Sequence, residues 1–133
     1  MAAFAAAAEH DPDLADPLGR AIVELAQQDS PGWVKDGKLF RGTLPARAKQ
    51  SFLVVLPYGH CYRFLAASET MADLDLLLYD NTGVELQRDV TQSPTAALGI
   101  AAALCPSDAV SLRIEARARH GDGPFAIGLF HDP

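Results

Sequence analysis

The stretch "VSLRIEARA", residues 110 to 118, leaves the backbone little choice. Val110, Leu112, Ile114, Ala116 and Ala118 alternate without a break with Ser111, Arg113, Glu115 and Arg117. Successive side chains of a strand point to opposite faces, so a period of two collects every apolar group on one side. The segment is therefore a strand with one buried and one wet face. Any fold of this chain must give that strand an apolar layer to pack on and leave its other side open.

The same period recurs from Lys38 onward. "KLFRGTL", "SFLVVL", "CYRFLAAS", "LDLLLYD", "VELQRDV", "AALGIAAALC", "VSLRIEARA" and "FAIGLF" read as short strands. "PARAK", "PYGH", "DNTG", "TQSPT", "PSDA" and "HGDGP" separate them with turn chemistry. About eight short strands with no helical pattern between them predict a mainly β chain, an antiparallel β-sandwich of jelly-roll-like form over 38–131. A chain of 133 residues is most simply one domain.

Ahead of the strands the period changes. Leu14, Leu18, Ile22 and Leu25 recur at close to four residues, which predicts a helix over 16–30. Asp16 suits the N-cap, Pro17 the first helical position, and "DSPGW" ends the run. Two uses of the stripe stay open: Leu18, Ile22 and Leu25 pack on the domain's own sheet, or they bind a partner. The opening "MAAFAAAAEH" shows no charged n-region of a signal peptide, so residues 1–15 read as a frayed tail.

A net charge of -6 argues against nucleic acid as a partner, because phosphate binding needs clustered Lys and Arg. No apolar run reaches the roughly 18 residues of a membrane span. There is no G-x-S-x-G, no phosphate-cradling glycine loop and no nucleotide fingerprint. His10, His60, His120 and His131 show no zinc-ligand spacing. Arg113, Arg117 and Arg119 form a basic stripe that either meets an acidic partner or balances carboxylates such as Asp73, Asp75 and Glu115.

In "MADLDLLLYDNTGVELQ", Leu74, Leu76 and Leu78 share the core face, and Asp73, Asp75, Leu77 and Tyr79 share the other. "DNTG" predicts a type I turn closed by a left-handed Gly83, with Asp80 accepting from the turn backbone. The simplest reading makes Asp73 and Asp75 a solvated strand face. An acid/base pair would need a cleft to raise one pKa, which an exposed face lacks.

"GHCYRFLAAS", "ADLDLLLYDNTGVEL", "ALCPSDAVSLRIEA" and "GDGPFAIGLF", in that order, resemble the bacterial pre-peptidase C-terminal domain. The segment from Asp73 to Gly83 fits the family's D-x-D-L-x-L-Y-D-x-x-G hairpin, and the likeness, carried by the order of the four motifs together, spans roughly Leu39 to Phe130. The resemblance implies a small β-sandwich of secreted and cell-surface proteins, often beside a peptidase and sometimes calcium-bound. Calcium is the one cofactor this brings in. Asp73, Asp75 and Asp80 are its candidate ligands, with more oxygens needed from elsewhere, such as Asp89 or Asp122.

Cys61 opens one strand and Cys105 closes another. Two cysteines near strand ends in a secreted-type fold suggest a disulfide; two buried thiols or one reactive thiol are the alternatives. The expected function is a non-catalytic binding or structural module in the periplasm, at the cell surface or secreted. Its expected partner is a protein or cell-surface component. The other reading is an accessory subunit that docks on a larger enzyme or surface assembly through its helix.

Overall fold

The computed structural model describes residues 11–133; the alanine-rich start and His10 lie outside them. Helix α1 spans Pro17–Asp29. Nine strands follow: β1 (Val34–Lys35), β2 (Phe40–Leu44), β3 (Lys49–Leu56), β4 (Tyr62–Ser68), β5 (Asp73–Asp80), β6 (Glu85–Asp89), β7 (Thr95–Leu98), β8 (Val110–His120) and β9 (Gly123–His131). All pair antiparallel.

The strands form two sheets. In the first, β1 and β2 both lie along β9, followed by β4 and β7; in the second the order is β3-β8-β5-β6. Consecutive strands mostly alternate between sheets, which is jelly-roll wiring. The inner faces meet in one core that includes Tyr62, Phe64, Leu74, Leu76, Leu78, Ile114, Phe125 and Ile127. Leu74, Leu76 and Leu78 face inward as their period predicts.

Asp16 caps α1 by accepting from Gly19 N at 3.0 Å, and Pro17 opens the helix. Leu18, Ile22 and Ala26 pack onto Leu65, Ala67, Ala126 and Phe130 on the outer face of β4 and β9. A Cβ on Gly128 would sit 3.1 Å from Ile22 Cγ2, so glycine there lets the helix approach the sheet. This decides between the two uses of the stripe. Leu18 and Ile22 are buried against the chain's own sheet and cannot serve a partner, while Leu25 is half-buried.

The segment 11–15, expected as part of a frayed tail, is built into the fold. Pro12–Leu14 form a 3-10 turn capped by Asp11, and Leu14 is buried. Asp13 Oδ2 accepts from Lys35 Nζ at 2.9 Å and from Leu39 N at 2.6 Å. Arg41 bonds both Asp16 and the Asp13 carbonyl. The acidic spacing that looked like tail polarity ties this segment to β1 and β2.

"AALGIAAALC" is not one strand. β7 ends at Leu98, Gly99 takes φ 87°, and the chain touches the sheet again only at the bridge of Tyr62 with Leu104. That bridge brings Cys105 to Cys61, and the expected disulfide is formed, with sulfurs 2.03 Å and Cα atoms 4.1 Å apart. Closing 44 residues of chain this way contributes about 4 kcal/mol in the loop-entropy account.

Candidate functional site

The outer face of the second sheet carries most of the polar chemistry. On β8, Arg113, Glu115 and Arg117 fall on one side because they are two residues apart. Glu115 is buried between its neighbours, with Oε1 3.2 Å from Arg113 Nη1 and Oε2 2.6 Å from Arg117 Nε. Arg117 Nη2 also donates to Tyr79 Oη at 3.0 Å, and the Arg113 guanidinium lies 4.2 Å over the Tyr79 ring. Burial pushes the Glu115 carboxyl up, but the two guanidiniums outweigh it and hold it below its ordinary range. Two members of the basic stripe therefore balance a carboxylate.

Arg119 is different. Leu74 pairs with Ala118, yet the next pair is Asp73 with His120, so Arg119 is the extra residue of a β-bulge. Strict alternation would send His120 inward after Ala118. The bulge resets the pattern and leaves Arg119 and His120 both exposed. Arg47 approaches from the β2–β3 turn. Its N–H donates to Ala118 O at 2.8 Å, and its φ is 68°. Among the described residues it is the one non-glycine residue with positive φ, a conformation that glycine tolerates better.

Arg47, Lys49, Arg117, Arg119 and His120 line an open depression of about 610 Å³. Among the described residues, Arg47, Lys49 and Arg119 form no ion pair. Along the edge strand β3, the outward positions Lys49, Ser51, Leu53 and Val55 are all exposed, Leu53 at 83% and Val55 at 61%. The face thus runs from cationic at one end to apolar at the other.

Asp73 and Asp75 lie beside this depression, and here the expectation of a solvated face fails. Each is only 4% exposed. Among the described residues, no N–H or O–H reaches either Oδ1 atom. Ionised carboxyls only accept hydrogen bonds, so a proton shared between the two is what can satisfy them. Burial first, then the hydrogen bond to Asp73 and the Asp73 charge, raise the Asp75 pKa from 3.8 to about 6, against the pull of Arg119 and Arg117.

The calcium set does not converge either. Asp80 sits at the far end of β5, roughly 20 Å of strand from Asp73. Its Oδ1 accepts from Thr82 N, Thr82 Oγ1 and Val84 N, and Gly83 takes φ 91°, which is the turn the sequence predicted. Asp89 accepts from Thr91 N and Ala97 N.

Two other places lie away from this face. An aliphatic groove of about 440 Å³ runs from Leu56 past Leu104 and Cys105 to Val110, with no aromatic side chain in its lining. At the end of β4 and β9, His60 and His131 come together beside Asp132. Sequence spacing could not show that encounter, because the partners lie more than seventy positions apart. No protein-family model matches the chain, and no curated protein matches it.

Proposed function

We propose that this chain is a non-catalytic binding module that works outside the cytoplasm and takes an acidic protein partner on the outer face of its second sheet. The observation that carries the reading is the graded outer row of β3, Lys49 to Val55, beside the unpaired cations Arg47 and Arg119. A chain of net charge -6 that gathers unpaired cations in one depression favours an acidic partner there. The exposed Leu53 and Val55 suit a protein, which brings apolar side chains as well as carboxylates.

The resemblance to pre-peptidase C-terminal domains supports a module of the envelope or exterior, as does the disulfide. Among the described residues, no helix is long and apolar enough to cross a membrane. Catalysis by Asp73 and Asp75 is disfavoured by their enclosure, since a general acid or base must touch the proton it moves. Docking through α1 would have to use surface other than Leu18 and Ile22.

Titration with poly-glutamate tests the ionic half. Binding should weaken at least about tenfold in Lys49→Gln plus Arg119→Gln, and should fall as salt screens the charges. Binding that is absent, or unchanged in the double variant, overturns the proposal. Clear preference for a sulfated polysaccharide over poly-glutamate would overturn the choice of a protein partner.

A further inference from the structure

We infer that His60, His131 and Asp132 form a site for a divalent transition-metal ion of the zinc type, at the disulfide-bonded end of the first sheet. One ligand atom from each residue lies within 4.8 Å of the other two. Two imidazoles and a carboxylate suit zinc and its neighbours in softness, rather than calcium or magnesium, which prefer oxygen throughout. Three protein ligands with a fourth position left to water or a partner's side chain is a common coordination for such ions.

The backbone holds the three in place. β4 and β9 pair Tyr62 with His131, and the ladder continues as Asp132 N donates to Cys61 O at 3.1 Å. Asp132 Oδ1 in turn accepts from Cys61 N at 3.2 Å. The disulfide anchors Cys61, the residue next to His60. His131 therefore hangs from a paired strand and His60 from the residue just before the disulfide-bonded Cys61, with ring centroids 4.4 Å apart.

The hydrogen bonds prepare the donors. His131 Nδ1 lies 2.7 Å from the Asp132 carbonyl, which can only accept. Nδ1 therefore carries the proton and Nε2 keeps a free lone pair, the arrangement by which a metal-binding histidine is usually oriented. His60 Nδ1 lies 3.0 Å from Asp132 Oδ1. Ligand atoms of a tetrahedral zinc ion stand about 3.3 Å apart, given bonds of about 2.0–2.1 Å. An ion can thus replace the proton between His60 and Asp132, releasing it to solvent. Rotation of the partly exposed His60 ring closes the remaining distance.

The test is calorimetric titration of zinc into the full, disulfide-intact chain after chelator treatment, with melting temperature as a second readout. One equivalent should bind and raise the melting temperature. His60→Gln and His131→Gln should each weaken binding at least tenfold, Asp132→Asn should weaken it measurably, and His120→Gln should leave it unchanged. Calcium and magnesium should shift nothing. Circular dichroism shows whether each variant is folded, and the exposed His60 is the variant least able to disturb the fold. Absence of binding at millimolar zinc overturns the inference. So does binding that survives His60→Gln plus His131→Gln, or that is lost in His120→Gln.

Discussion

The two sheets share one core, but their outer faces are built for different ends. The outer face of the first sheet is small and apolar, with Leu65 and Ala67 from β4 and Ala126 and Phe130 from β9, and α1 covers it. The outer face of the second carries Arg113, Glu115, Arg117 and the Asp73–Asp75 pair, and among the described residues no helix lies on it. The difference is written in the period. "FLAA" and "FAIGLF" are continuous apolar runs, which a strand needs when both its faces are buried. "VSLRIEARA" alternates, so its outer face is polar, with Glu115 buried between Arg113 and Arg117. A cover and a period of two exclude each other, and this pairing explains why the helix sits where it does.

Removing the cover should have the largest effect. Ile22 is fully buried between the helix and the sheet. Ile22→Ala should lower stability by about 2–5 kcal/mol through lost burial and the cavity left behind. Leu53→Ala, on the bare face, should change it by less than about 0.5 kcal/mol. Denaturant unfolding of the two variants checks the contrast. Similar losses in both would mean that the bare face is packed too.

The carboxyl pair sharpens the comparison next. Asp75 titrates at its ordinary 3.8 in the unfolded chain and at about 6 in the fold. Between those values the folded chain holds the extra proton. Stability is therefore fully present below about pH 4 and falls as pH rises through 6. At about 1.4 kcal/mol per pH unit, the loss at neutral pH is on the order of 3 kcal/mol. Asp75→Asn keeps a neutral group there and should flatten this dependence, raising stability at pH 7 relative to pH 5. Equal pH dependence in the variant and the natural chain would show that Asp75 does not take up the extra proton in the fold.

Those two regions also show what a sequence can disclose. Period and turn chemistry placed most of the strands, the helix cap at Asp16 and the hairpin at Gly83, because each depends on neighbours a few residues away. The disulfide was suggested by two cysteines in a secreted-type fold, although the strand that Cys105 was expected to close ends at Leu98. The burial of Asp73 and Asp75 did not, since alternation assigns a face but not what encloses it. The bulge at Arg119 changes which residues are exposed by inserting one position, and "EARARH" reads the same with or without it. The meeting of His60 with His131 depends on the register of β4 against β9, fixed by the whole core. The ordered turn at Pro12–Leu14 was hidden for a similar reason: its partners Lys35, Leu39 and Arg41 lie a strand away.

The smallest expected effect separates fold from function at one residue of the bare face. Arg47 holds φ 68° while its N–H is bound to Ala118 O. A left-handed conformation costs a non-glycine residue roughly 1–2 kcal/mol. Glycine escapes that cost, but it loses more backbone freedom on folding, roughly 0.5–1 kcal/mol. Arg47→Gly should therefore gain between about 0 and about 1.5 kcal/mol in stability while losing a cation from the depression, so poly-glutamate binds more weakly. Arg47→Ala removes the same charge and keeps the strain, so it should match glycine in binding but not in stability. Thermal unfolding and titration of both variants read the two quantities separately. If glycine is less stable than alanine, the turn does not hold Arg47 under strain. If both bind as tightly as the natural chain, Arg47 is only a turn residue, and the acidic partner does not reach this end of the face.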